Sequence, residues 1–401
     1  MTSEWHEVPL RELVGYISKG IAPSYAEEAS ETTIRVLNQK CNRNFRISYG
    51  DSRLHDTLKK KVPPERYVKP DDILINSTGA GTAGRIAQIE DVPSATTLDG
   101  HMILIRSNGK VTQKFLGYAL KAHQWEVLQL DEGSTGQTEL NRDRLLDEIM
   151  INYPVSFDEQ NAIVGTLESI DRKLIVNKEI NDNLEQQAQA YFQELFVDNA
   201  DPEWTTGTIS DLGTVVGGST PSKAKPEYYT ESGIAWITPK DLSINKSKFV
   251  SHGENDITEL GLRNSSASLM PEGTVLFSSR APIGYIAIAA GEVTTNQGFK
   301  SVVPKPEIGT PFVYFFLKNT LPVIEGMASG STFKEVSGST MKNVPAVIPD
   351  AETLAKFSDF CAPIFAQQRI LEEQNQSLAT LRDNLLPKLM SGEIDVSAVQ
   401  L

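Results

Sequence analysis

Apolar and polar positions along the chain fall into two patterns, and each pattern is written twice. Over residues 1–155 and again over 201–350, short apolar runs such as 73–75 alternate with clusters of Gly, Pro, Asn and Ser, which predicts short strands and turns. Two stretches within them, 114–130 and 310–319, carry the wider spacing of short helices. Both segments therefore read as mixed α/β (α+β). Over 156–200 and 351–401 the apolar spacing changes to alternating steps of three and four, the signature of long helices with a coiled-coil seam.

The duplication extends to individual residues. Residues 4–13 (EWHEVPLREL) match 203–212 (EWTTGTISDL), 34–40 (IRVLNQK) match 234–240 (IAWITPK), and 69–77 (KPDDILINS) match 270–278 (MPEGTVLFS). Further on, 115–121 (FLGYALK) match 312–318 (FVYFFLK), and 133–140 (GSTGQTEL) match 330–337 (GSTFKEVS). The offset stays between 197 and 201. Such a fixed period points to one supersecondary unit used twice.

In the first long helix the seam runs Ile163, Leu167, Ile170, Leu174, Asn177, Asn181, Leu184, Ala188, Tyr191 and Leu195. Ser156 with Glu159 forms a capping-box pattern at its start, and Asp201-Pro202 marks its end. In the second helix the same spacing gives Phe357, Phe360, Ile364, Gln367, Leu371, Gln374, Leu378, Leu381 and Leu385, and Pro363 predicts a kink or a late start. Each seam is polar in its middle, with Asn177 and Asn181 in one helix and Gln367 and Gln374 in the other. Buried amides need partners and fix register, so the two helices are expected to pair with each other, antiparallel. About 35 residues of helix span roughly 50 Å, comparable with about 15 base pairs.

Composition narrows the function classes. Hydrophobic residues make up 39% and charged residues 22%, ordinary for a chain with buried cores. No apolar run approaches a membrane span, and the first residues lack a signal-peptide layout, so a cytoplasmic location is expected. The 2 cysteines, Cys41 and Cys361, exclude a disulfide framework within the chain, and the 5 histidines are not at metal-ligand spacing. A net charge of −14 argues against a nucleic-acid partner until its distribution is considered. Segments 156–200 and 351–401 carry −9 of it, which leaves the two large segments near neutral and able to present basic faces.

One motif suggests nucleotide chemistry. Gly79-x-Gly81-x-x-Gly84 follows an apolar run, as in dinucleotide or S-adenosylmethionine sites. A phosphate loop must open a helix, however, whereas residues 85–93 are short, β-branched and stopped by Pro93. The counterpart at 278–287 keeps only Gly284. The stretch reads as strand, turn, strand. No phosphate-loop, zinc-protease, nucleophile-elbow or amino-methyltransferase motif occurs elsewhere in the chain.

The loops carry basic residues among aromatic and hydroxyl side chains. The first half offers Lys40, Arg43, Arg46, Lys59, Lys60, Lys61 and Arg85, and the second Lys223, Lys225, Lys240, Lys246, Lys248, Arg280 and Lys334. Such residues neutralise phosphates, and Arg can read base edges. Lys40 and Lys240 occupy equivalent repeat positions.

The closing LRDNLLPKLMSGEIDV (381–396), the opening EWTTGTISDLGTVVGGSTPSK (203–223) and DEQNAIVGTLESIDRKL (158–174) resemble the specificity subunit of type I restriction-modification systems. The resemblance implies target recognition domains at 1–155 and 201–350 alternating with helical regions at 156–200 and 351–401 that pair antiparallel. Each domain would read one half of a bipartite target in double-stranded DNA. It further implies a chain that is not catalytic by itself. Methylation would belong to two modification subunits that bind S-adenosylmethionine, and cleavage to motor-nuclease subunits that use ATP and magnesium. A stand-alone methylation complex or another restriction type with a similar module is the alternative of the same class. A nucleotide-binding enzyme acting through Gly79, Gly81 and Gly84 is the alternative of a different class.

Overall fold

The computed structural model describes residues 4–132, 139–330 and 334–396. The matched stretches 133–140 and 330–337 lie in part outside them. The chain divides into two units, residues 1–173 with 378–401, and residues 174–377.

In the first unit, strands Val14–Lys19, Met102–Ser107, Ile73–Asn76 and Ile86–Gln88 form an antiparallel sheet in that spatial order. Ile73 and Ile75 face one core with Ile103, Ile105 and Phe115, while Leu74 and Leu104 face a second with Leu37, Cys41 and Leu98. Burial on both faces is why this strand is a continuous apolar run rather than an alternating one. A second sheet has the order Thr96–Leu98, Thr33–Leu37, Arg53–Asp56, Tyr25–Ala26. Trp5–Pro9 pairs with Met150–Pro154, which delivers the chain to the long helix Phe157–Gln193.

The second unit repeats this order strand for strand. Gly213–Gly217, Lys300–Pro304, Val275–Ser279 and Ile283–Ala289 form the main sheet, extended by Phe249–Val250. Thr294–Thr295, Ile234–Ile237, Asn255–Ile257 and Tyr229–Thr230 form the second, and Thr205–Thr208 pairs with Pro345–Ile348. Even a tight crossing recurs. A Cβ on Gly20 would lie 2.2 Å from the Leu98 and Asp99 carbonyl oxygens, and one on Gly218 would lie 1.9 Å from that of Asn296.

The expected short helices are present with shifted ends. The first is split into Gln113–Ala122 and Gln124–Leu128, and the second extends over Thr310–Met327.

The second long helix, Ala351–Met390, corrects the expectation of a late start, since it begins well before Pro363. Asp350 caps it by accepting from the Thr353 N–H at 2.8 Å, and Pro363 lies on its exposed side while Cys361, Ile364 and Phe365 are buried. Packing of that face outweighs the lost backbone bond.

Within the second unit, residues of the two long helices meet in opposite order. Asn177 Nδ2 donates to Gln374 Oε1 at 3.3 Å and to Asn375 Oδ1 at 3.0 Å, and Asn181 Nδ2 donates to Glu372 Oε1 at 3.2 Å. Gln368 Nε2 donates to the Asn181 carbonyl at 3.2 Å, and Tyr191 packs on Phe360 at 4.5 Å. Numbers rise on one helix as they fall on the other, so the contact is antiparallel.

The seam of the second helix needs a correction. Phe357, Ile364 and Leu371 point inward as expected, but Phe360, Gln367 and Leu381 are exposed. The inward positions are Cys361, Gln368 and Asn375, and Arg382 is mostly covered, each one residue further on. Gln374 and Phe360 are exposed but reach Asn177 and Tyr191 from the rim.

Each unit fastens its helix segment with a buried charge cluster. In the first, Asp171 accepts from Tyr118 Oη at 2.9 Å, from Lys121 Nζ at 3.2 Å and from Arg382 at 3.1 Å. Burial pushes the Asp171 carboxyl up, but Lys121 and Arg382 outweigh it and hold it below the usual range. In the second, Glu185 accepts from Tyr314 Oη at 3.2 Å and pairs with Lys318 and Lys248, and Lys248 also bonds Gln368.

Replacing Asp171 with Asn leaves the mostly covered Lys121 ammonium without its carboxylate, while Arg382 keeps Asp383, and should cost about 3 kcal/mol in urea denaturation at neutral pH. Because the folded pKa of Asp171 is lowered, its contribution is present above the ordinary aspartate value of about 3.9 and is lost as pH falls through the folded value. The difference between wild type and Asp171→Asn should shrink in that acid range.

Candidate nucleic-acid interface

In the first unit the candidate bases gather around one tight hairpin. Asn42–Arg43 pairs with Arg46–Ile47, and the two turn residues, Asn44 and Phe45, have φ of 53° and 63°. Two successive positive φ values give the primed turn whose twist suits a two-residue hairpin. Lys40 precedes it in a short turn held by the Asn38 side chain, and Arg43 Nε donates to the Lys40 carbonyl at 3.3 Å. Asn42 is fully buried and donates to the Arg85 carbonyl at 2.8 Å, which brings the glycine-rich loop against the hairpin. Lys40, Arg43, Arg46 and Arg85 thus belong to one surface. Lys40 and Arg43 are exposed, Arg46 is paired with Glu90 at 3.3 Å, and Arg85 donates to the Gly81 carbonyl at 3.1 Å.

Lys59, Lys60 and Lys61 are exposed on a different loop. Lys59 approaches Asp56 at 3.8 Å, Lys60 donates to the Ala22 carbonyl at 2.8 Å, and Lys61 has no ion pair among the described residues.

The glycine-rich loop joins the antiparallel strands Ile73–Asn76 and Ile86–Gln88. Gly79, Gly81 and Gly84 have φ of 114°, 67° and 83°, values that favour glycine. Thr82 and Ala83 N–H donate to the Gly79 carbonyl, Gly84 N–H to Asn76 and Arg85 N–H to Thr82. These donors are spent inside the loop, and no helix follows it. The arrangement lacks the N–H row and helix N-terminus of a nucleotide site.

Polar side chains missed by counting basic residues flank this surface. Gln39 Nε2 donates to Thr78 Oγ1 at 2.5 Å, and Thr78 Oγ1 is 2.9 Å from His101 Nδ1. Their sequence signal was weak, because single Gln, Thr and His residues in loops are common.

In the second unit, Arg280 lies 3.5 Å from Glu335, Lys300 lies 3.6 Å from the same carboxylate, and exposed Lys334 is adjacent in the chain. Lys223 and Lys225 are exposed, the latter with its ammonium 5.5 Å above the Tyr228 ring. Lys240 is exposed and paired with Glu254 at 2.6 Å. Lys246 is exposed, 4.4 Å above the Tyr285 ring.

Lys248 does not belong to this set, which corrects its inclusion. Its residue is 7% exposed, its ammonium meets Glu185 and Gln368 and lies 4.1 Å above the Phe365 ring. Burial pushes its pKa down, with Glu185 pulling the other way. It ties the domain to the helices and is not available to a phosphate.

Among the described residues there is no group of three or more His, Cys, Asp or Glu suited to a metal ion, and no helix is long and apolar enough to cross a membrane.

Comparison with known proteins agrees with this duplicated arrangement. The chain is 38% identical over 191 residues to the type I restriction enzyme MjaIX specificity subunit of Methanocaldococcus jannaschii, covering 45% of this chain and 44% of that one. It is 27% identical over 194 residues to the HindI specificity subunit of Haemophilus influenzae, covering 48% and 42%. The chain thus matches less than half the length of these two relatives. A putative MjaX specificity subunit of Methanocaldococcus jannaschii aligns over 98% of this chain and 94% of its own length, at 19% identity. The fold is similar to that of a type I restriction-modification S subunit from M. genitalium, with a TM-score of 0.61, 17% identity and coverage of 97% and 99%. Residues 2–186 and 202–381 each match the type I restriction modification DNA specificity domain, and the chain belongs to that family.

Proposed function

We propose that this chain is the DNA-recognition subunit of a type I restriction-modification complex and has no catalytic role of its own. Its domains at 1–155 and 201–350 each read one half of a bipartite target in double-stranded DNA. The helical regions at 156–200 and 351–401 set the unread spacer and scaffold two modification subunits. S-adenosylmethionine is the cofactor of those partners, and ATP and magnesium serve the motor-nuclease subunits of the same cytoplasmic complex.

The observation that carries this reading is one strand order built twice, with a buried amide contact between the two helices. Two similar domains suit two half-sites of DNA, and a rigid helix suits a fixed separation. The helix Phe157–Gln193 has 37 residues, about 55 Å at 1.5 Å per residue, or roughly 16 base pairs of duplex. The exposed bases Lys40, Arg43, Lys61, Lys223 and Lys334 supply phosphate contacts on loops. In the first domain Gln39, Thr78 and His101 offer groups able to meet base edges.

Exchanging residues 1–155 for those of a relative should change one half of the methylated sequence and leave the other intact, as read by sequencing modified bases. A change in both halves would defeat the modular reading. Lys40→Ala and Arg43→Ala should each weaken DNA binding by the assembled complex several-fold. Removing one cation from a phosphate should also reduce the slope of log affinity against log salt by about 0.9. Lys248→Ala should instead lower the unfolding midpoint.

A further inference from the structure

The second unit carries an open apolar groove of about 370 Å³ where the first long helix ends. Phe196, Trp204, Phe312, Phe316 and Val347 line it. Trp204 is held at its rim by donating its indole N–H to Asp350 at 2.9 Å, and Val347 is 42% exposed.

The same place in the first unit is covered. Trp5 is the repeat partner of Trp204 and donates its indole N–H to Glu159 at 3.2 Å. After the second long helix the chain turns at Gly392, where a Cβ would come within 2.9 Å of the Trp5 ring, and Ile394 and Val396 then pack against the core of that unit together with Trp5. After the first long helix, whose end lays Phe196 on Trp204 at 5.9 Å, the chain continues as Asn199-Ala200-Asp201-Pro202-Glu203, with no further large apolar side chain before Trp204 itself. The repeat therefore has a face built to take a short apolar segment, filled from within the chain in one copy and open in the other.

Charge selects the occupant. The chain flanking the groove supplies Glu194, Asp198, Asp201, Glu203, Asp350 and Glu352, all exposed, and residues 194–204 and 345–352 contain no Lys or Arg. None of these six carboxylates forms an ion pair among the described residues. An apolar floor with an acidic rim repels DNA and also repels an acidic tail such as this chain's own Glu393-Ile-Asp395-Val396. We infer that the groove docks a short segment of the modification subunit that carries one or two large apolar anchors flanked by Lys or Arg. The identity of that partner rests on the function proposed above; the chemistry of the segment rests on the groove.

The test uses the full chain and purified modification subunits. Val347→Glu should weaken their association at least tenfold, measured by calorimetry, while Ile244→Glu at an exposed site elsewhere in the unit changes it less than twofold. Asp198→Lys with Glu203→Lys should also weaken association and flatten its dependence on salt. Thermal unfolding midpoints matching wild type confirm that the variants fold. A photocrosslinking benzoylphenylalanine at Val347 should join the chain to a Lys/Arg-flanked apolar segment of the modification subunit. Unchanged affinity of Val347→Glu in a complex that otherwise assembles overturns the docking proposal alone, as does crosslinking to a second copy of the chain or to its own C-terminal segment. Failure of the wild-type chain to bind modification subunits at all overturns the proposed function as well.

Discussion

Burying two carboxylates on one long helix is the constraint around which each unit is arranged. Asp171 and Glu185 both lie on Phe157–Gln193, and each is met by a tyrosine and a lysine from a short helix of its own unit, Tyr118 with Lys121 and Tyr314 with Lys318. A buried carboxylate is costly alone and tolerable only when its oxygens are fully engaged. The cluster therefore forms in one geometry or not at all. An apolar contact of the same area would stabilise equally well in several rotations of the helix, whereas this one fixes the face that the domain presents.

The amides between the helices extend the same logic. Asn177 and Asn375 are repeat partners at the common offset, and they bond each other. Asn181 bonds Glu372, whose carboxylate also accepts the backbone N–H groups of Lys248 and Phe249. Burial pushes the Glu372 carboxyl up while these donors pull it down. Helix pairing and the seating of the strand Phe249–Val250 therefore share one carboxylate. A slip of the helix by one turn would break both.

Much of this was legible in the amino-acid order, and the parts that were not have a common cause. The duplication, the strand–turn–strand reading of residues 73–88 and the inward face of the first long helix follow from spacing alone. In the second helix, hydrophobicity picks out the wrong member of each adjacent pair. Phe360 and Leu381 are the more apolar members of the adjacent pairs Phe360-Cys361 and Leu381-Arg382, so counting apolar residues selects them. The inward members are Cys361 and Arg382, and Arg382 is covered because Asp171 awaits it from a distant part of the chain. Lys248 is buried for the same reason, since its partners Glu185 and Gln368 come from distant parts of the sequence. A charged residue reads as surface until its counter-charge is known, and the counter-charge is a tertiary fact.

The distribution of charge separates the surfaces by sign. The acidic excess is concentrated in the helical segments, which carry −9 of the net −14, and in the carboxylates flanking the groove at Trp204. The exposed bases Lys40 and Arg43 instead stand on a rigid two-residue hairpin whose buried Asn42 anchors it to the sheet beneath. A chain that was basic throughout would bind duplex along any face. Under the function proposed above, confining positive charge to loops on a scaffold while keeping the helices acidic leaves DNA few orientations in which its phosphates are neutralised and leaves the helices to the modification subunits. In that proposal, the acidity that argues against a nucleic-acid role in the bulk composition becomes the means of directing it.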